Sequence, residues 1–404
     1  MSQKAGISFV LACVFMDALG IGLIIPVLPG LIGTLAGSHE LQTTWYGFIM
    51  LSYGLMQFMF SPILGALSDK IGRRPVLLIG ILGLALMMVI PAFSHSLWLI
   101  FFSRLIGGMM SSNIVVAQAY IADITPCESR VSSFGKIGAI FGIAFVLGPA
   151  LGGVLGQYDI RLPFIVASAI CLINFIYGVL VLPESLKEKN TSPINLKHVN
   201  PFSAIAHLAR IRPLLPLLLI TTLYTLAQSL MTTTWALYTQ YRYGWTPLWI
   251  GLSVFGLGLC ISLTQGLILP KMSKKYQPQS IVLAGLLVGA ISLLVIGLSP
   301  WGALSLVFCC LTAVLGIVGP SIRGEVSNYC TKETQGINLG AISSLNSFTG
   351  AISPIIGTPL LIVTTSNTEH PILAGAPYFI GSLLVIASLV IALRRPIKGS
   401  KSYP

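Results

Sequence analysis

Polar and apolar positions along this chain separate into long blocks rather than alternating. Twelve apolar runs occupy 7–31, 45–68, 75–93, 97–122, 133–155, 162–182, 213–239, 247–269, 279–298, 303–328, 338–363 and 377–393. Each is near the roughly 20 residues that a helix needs to cross a bilayer. They fall into two groups of six, divided by the one long polar stretch. The pattern predicts an all-α membrane protein with twelve transmembrane helices in two six-helix bundles. The bundles are expected at 1–182 and 213–404, with a linker at 183–212. Within the linker, Pro201–Arg210 is patterned to lie as a short amphipathic helix on a membrane surface.

Composition sharpens this reading. The 404 residues are 55% hydrophobic and only 8% charged, against roughly 25% charged in soluble domains. The net charge of +12 could signal nucleic acid, but the bases sit in short links between apolar runs, which excludes that partner. Of 23 lysines and arginines, 19 fall in segments that share one side of the membrane, and only Arg161 and Arg242 fall on the other. The positive-inside rule then puts both termini and the linker in the cytoplasm. No cleavable leader is expected, because the first run is long and contains Asp17. The seven cysteines show no metal-ligand spacing, so neither disulfides nor a metal are expected. No Gly-x-x-x-x-Gly-Lys-Ser/Thr loop is present, so ATP is not the direct drive and no cofactor is expected.

The link between the second and third runs reads Gly65-Ala66-Leu67-Ser68-Asp69-Lys70-Ile71-Gly72-Arg73-Arg74-Pro75. Four charges in so short a link must lie at a membrane face. The same loop returns 201 residues later as Gly266 to Lys275, with its bases kept and Pro270 in place of Asp69. This string resembles the signature loop of the major facilitator superfamily of transporters. The resemblance implies two pseudo-symmetric halves around a central cavity.

Two ionisable residues lie deep in spans. Asp17 is in span 1 and Arg104 in span 4, where Gly107, Gly108, Ser111 and Ser112 continue the arginine's face. Charges at that depth should face a cavity or a partner. Asp17 reads as a carboxyl that gains and loses a proton, or else as a fixed partner in a helix contact. Arg104 reads as a modulator of a nearby carboxyl or as a helix-packing group. The small residues beside it either admit a neighbouring helix or leave room for ligand. Asp123 ends span 4 at the face where Arg73 sits, and the superfamily resemblance supports a gating latch in which the two pair while Asp69 caps the start of span 11. The repeat maps Arg73 onto Lys274 and Asp123 beside Glu325, a second candidate latch. Arg323 offers a positive site for an anionic ligand. Polar residues near mid-span mark a candidate substrate cavity: Gln57, Asn113, Tyr224, Gln228, Gln265 and Asn346. Gly148, Gly152 and Gly156 form a stripe suited to close helix packing, with Pro149 inside it and Gly153 beside it.

Three strings together resemble the bacterial tetracycline/proton antiporters and related drug exporters: Asp17 to Pro29, Gly65 to Leu78, and Ala119 to Thr125. That likeness implies proton-driven efflux through the inner membrane by a monomer, with Asp17 and Arg104 at family positions. It also associates Gly148-Pro149-x-x-Gly152-Gly153 with proton-coupled exporters. The acid that those pumps carry in span 3 is missing here, and so is their histidine in span 8, where this chain has Leu259-Cys260-Ile261-Ser262. Both departures point away from tetracycline itself. The expected function is proton-coupled export of an amphiphilic or drug-like small molecule. A carrier for a dedicated metabolite, such as a siderophore or carboxylate, and a non-transporting receptor are the alternatives.

Overall fold

A computed structural model describes residues 3–111, 113–125, 130–186, 214–328, 335–365 and 371–394. The surface helix expected at 201–210, Cys127, Cys330 and the loop around Glu369 lie outside these residues. Among the described residues the chain is helical, without strands. Among these residues, ten helices are long and apolar enough to cross a membrane. A pair bent by 41° makes an eleventh, and the apolar stretch Gly142–Tyr158 answers to the remaining run. Large apolar side chains point outward along these helices, among them Phe93, Leu180 and Val363. A bilayer is the solvent that makes such a surface stable.

The chain forms two compact units: 1–200 with 246–255, and 201–245 with 256–404. In the first, α1 (Gln3–Ile24) packs on α7 (Arg130–Tyr158) and α8 (Leu162–Val181). A bend follows α1, where Pro26 withholds a backbone N–H, and α2 (Leu28–Ala36) continues beyond it. The Ser38 hydroxyl caps α3 (His39–Ile71), accepting from the Leu41 N–H at 3.2 Å. At the other end Gly72 has φ of +118°, a conformation open to glycine, and lets the chain turn at once into α4 (Arg73–Phe93). The fourth span is two helices, α5 (Leu97–Met110) and α6 (Asn113–Ile124), separated at Ser111.

The second unit starts with α9 (Leu215–Tyr243). Its threonines return their hydroxyls to carbonyls one turn back, as Thr221 does to Leu217 at 2.8 Å and Thr234 to Leu230 at 2.7 Å. Those hydroxyls are satisfied within the helix, while Thr233 reaches across to Ser353 of a later helix at 2.9 Å. The span begun by α10 (Pro247–Leu263) passes through a π-helical turn, Thr264–Ile268, into α11 (Leu269–Lys275). Pro270 supplies no N–H and crowds the carbonyl four residues back, a physical cause for that widened turn. Next come α12 (Pro278–Leu298) and α13 (Gly302–Leu311), then a 3-10 segment, Thr312–Ile317, leading into α14 (Val318–Asn328). Helices α15 (Gln335–Thr365) and α16 (Ala376–Arg394) complete the unit, and both pack on α9.

The glycine stripe of α7 seats α1. A Cβ on Gly148 would stand 2.7 Å from Gly22 Cα, one on Gly152 would strike the Leu23 carbonyl, and one on Gly156 would strike Val27. No side chain fits between the two backbones. Gly152→Leu is therefore expected to cost about 1–3 kcal/mol of stability or more, read as a lower melting temperature in detergent. Gly142→Leu, at a position where a Cβ meets nothing within 4 Å, should leave the melting temperature unchanged.

Candidate functional site

Asp17 stands mid-way along α1 beside a cavity of about 220 Å³ within the first unit. Its carboxylate is held by two carboxamides. Asn113 Nδ2, from the first turn of α6, donates to Oδ2 at 3.2 Å. Asn174 Nδ2, from α8, donates to Oδ1 at 3.0 Å and to the Cys13 carbonyl at 3.2 Å. Asp17 forms no ion pair with a described residue. Tyr53, Gln57, Ser111 and Asn113 supply the other polar lining, set among apolar side chains such as Ile81, Leu84 and Phe145. A site of this kind takes a largely apolar ligand and offers it a few hydrogen bonds and one ionisable group.

Arg104 does not pair with Asp17. Its Nη2 lies 3.7 Å from Met88 Sδ, and its guanidinium sits over the Phe164 ring, 5.6 Å from the centroid. It is buried, and its Nε has no hydrogen-bond partner. Tyr53 lies within electrostatic reach of both Arg104 and Asp17. The small residues beside Arg104 serve both ends: a Cβ on Gly108 would strike the Tyr53 carbonyl of α3, while Ser111 lines the cavity.

A second cluster gathers where α3 turns into α4. Arg73 Nη2 meets Asp69 Oδ1 at 2.6 Å, Nε donates to Asp123 Oδ2 at 3.1 Å, and Nη1 donates to Ser68 Oγ at 2.6 Å. The Arg73 side chain is only 8% exposed, against 47% for Asp69, so its charge depends on these partners. Glu184 was not singled out from the sequence, yet it organises the cluster. Its Oε1 accepts from the Arg73 N–H at 2.9 Å and its Oε2 from the Arg74 N–H at 3.2 Å. A carboxylate there meets the unpaired N–H groups and the positive end of α4. A Cβ at Gly72 would collide with it. The neighbouring Ser185 hydroxyl donates to Asp123 Oδ2 at 3.0 Å. The cap expected from Asp69 on span 11 falls beside residues 329–334, outside the described set.

In the second unit the candidates are dispersed. Glu325 is buried, 3% exposed, and lines a separate cavity of about 520 Å³ with Ser273, Tyr276 and Ser321. Lys274 is exposed, and no ion pair joins it to Glu325. Arg323 is exposed and within electrostatic reach of buried Tyr224. Gln265 Nε2 donates to the Gly316 carbonyl at 3.0 Å, tying the π-helical turn to the 3-10 segment. Gln228 is half-buried on α9, and Asn346 Oδ1 is buried with no partner on α15. Of the cavity residues read from the sequence, Gln57 and Asn113 join Asp17 in one cavity. Tyr53, which lines the same cavity, and Asn174, which holds Asp17 from outside it, were missed.

Gly80 of α4 makes room for the Asn113 amide, which a Cβ there would overlap. Gly80→Ala should destabilise the protein by about 1–3 kcal/mol. Combining it with Asn113→Ala, which removes the obstructed group, should recover most of that loss in a double-mutant cycle of thermal stability.

Residues 10–354 match the family model of the Major Facilitator Superfamily. The chain is 31% identical to the class C tetracycline resistance protein of Escherichia coli, over 98% of each chain. Identity to the class B tetracycline resistance protein of the same organism is also 31%, over 99% of each. Among solved structures, the human organic anion transporter MFSD10 superposes with a TM-score of 0.71 at 22% identity, covering 97% of this chain and 100% of its own. That level of identity speaks for the fold. With a family match over most of its length and full-length relatives above 30% identity, this multi-pass membrane protein belongs to the Major Facilitator Superfamily and is a transporter rather than an enzyme.

Proposed function

We propose that this transporter exports an amphiphilic, drug-like small molecule in exchange for protons, by alternating access, with Asp17 as the proton carrier. One observation carries the reading: a half-buried carboxylate beside an apolar cavity, held among the described residues by two neutral amides. Such a group can take up a proton without first breaking an ion pair, and its charge changes the affinity of the cavity beside it. Similarity to tetracycline resistance proteins over nearly the whole chain supports efflux and a bacterial inner-membrane location. The distribution of lysine and arginine supports cytoplasmic termini. Asp17 then takes a proton from outside and releases it inside, while the ionised, inward-facing cavity binds substrate. The monomer is the working unit, and the proton gradient is the only drive.

The cluster on Arg73 serves this cycle as a latch. Asp69 and Asp123 hold the arginine in the state with the cytoplasmic side closed, and opening inward breaks those bonds. The repeat suggests a second latch at Lys274 and Glu325. Arg104, through Tyr53, tunes the field at Asp17.

The test is uptake of tetracycline, norfloxacin and ethidium into everted vesicles under an imposed pH gradient. Wild type should accumulate at least one of them, and a collapsed gradient should abolish the uptake. Asp17→Asn, fixed in the neutral state, should lose uphill transport while keeping downhill exchange of the same compound. Uphill pumping by Asp17→Asn at the wild-type rate would remove Asp17 from the role. For the latch, Arg73→Ala should shift the conformational balance inward by about 1–3 kcal/mol, roughly 5- to 150-fold in the ratio of states. Spin-label distances across the cytoplasmic face should lengthen accordingly. Unchanged distances with normal transport would contradict the latch.

A further inference from the structure

The two amides that hold Asp17 are not equivalent. Asn174 is fully buried and commits its Nδ2 group twice, to Asp17 Oδ1 at 3.0 Å and to the Cys13 carbonyl at 3.2 Å. Turning this amide over would break both bonds. Asn113 commits its Nδ2 group once, to Asp17 Oδ2 at 3.2 Å. The Oδ1 atoms of both amides are buried with no hydrogen-bond partner, that of Asn113 in the notch that Gly80 leaves in α4, so what separates the two is the second bond made by Asn174 Nδ2. Asn113 also lines the cavity, which Asn174 does not.

An ionised carboxylate only accepts hydrogen bonds, whereas a protonated one must donate as well. As the amides stand, a proton placed on Asp17 Oδ2 would point at an N–H group of Asn113. A half-turn of the Asn113 amide removes that conflict. It brings the unpartnered Oδ1 to the acid proton and breaks no other hydrogen bond of the side chain. The same turn in Asn174 would abandon the Cys13 carbonyl.

We propose that Asn113 senses the proton on Asp17, donating to the ionised carboxylate and accepting from the neutral acid, while Asn174 stays fixed as the positioning residue. The inference rests on the reading of Asp17 as proton carrier. It also bears on the class of substrate. With Asp17 ionised, the site holds a negative charge suited to a cationic amphiphile, and protonation removes that charge. Other titratable or charged groups near Asp17 are Cys13 on its own helix, Cys171 on α8, and Tyr53 on α3 with Arg104 behind it. None of these is a second carboxylate.

The test needs no ligand. Purified full-length protein, carrying asparagine labelled with carbon-13 at the side-chain carbonyl, is examined by pH-difference infrared spectroscopy. Acidification should produce a carboxylic-acid band that is absent in Asp17→Asn. It should also shift one labelled amide band, and that shift should be lost in both Asn113→Leu and Asn113→Ser. In those two variants the acid band should move to higher frequency, because its O–H has lost an acceptor. The serine variant keeps a polar, smaller group should the leucine variant fail to fold. An Asp17 acid band without an Asn113-dependent amide shift would overturn the sensor and leave the carrier reading standing. No Asp17 band at any pH at which the protein remains folded would overturn both.

Discussion

A carboxylate in hydrocarbon must be neutralised, paired or hydrogen-bonded, and the site in this transporter is built around that requirement at Asp17. Three helices meet there. Helix α1 brings the acid, α6 and α8 each bring a carboxamide, and the glycine stripe of α7 presses α1 into place. Amide donors stabilise the ionised form without fixing it as a cation would. The carboxylate is therefore tolerated when charged and remains free to become neutral. Displacing α1 outward by the width of one side chain at Gly148 or Gly152 would separate the acid from its donors.

The two buried arginines of the first unit show the same constraint met in different ways. Arg73 lies near the end of the bundle and has two carboxylates and a serine hydroxyl around it. Removing one of them leaves a buried charge short of a partner, which is costly. Arg104 lies deeper and has only a thioether and an aromatic face. Contacts of that kind hold a guanidinium in position but leave its charge uncompensated. Its field reaches Tyr53.

Much of this could be read from the chain. The twelve runs were visible because bilayer thickness fixes helix length, and Asp17 stood out as the lone acid in its span. Asn174 did not, because one amide in an apolar run carries no periodic signal and acquires meaning only when α8 lies against α1. Glu184 looked like one linker charge among several until the fold brought it to the first turn of α4, 111 residues from Arg73. Its signal was available in principle: an acid directly after the last residues of a span, able to reach the exposed N–H groups of a helix start. The 201-residue repeat aligned the two loops without gaps, but it carried no signal of the π-helical turn at Thr264–Ile268, which arises where Pro270 denies the helix an N–H.

In the proposed cycle, binding of substrate and loss of the Asp17 proton are one linked event. The direct measurement is proton release from the purified transporter in weakly buffered detergent solution, when the compound accumulated by everted vesicles is added. The account predicts a release from wild type that saturates with binding and is absent in Asp17→Asn, although the variant still binds. Equal release from the two proteins would place the coupling group elsewhere in the chain and contradict the account.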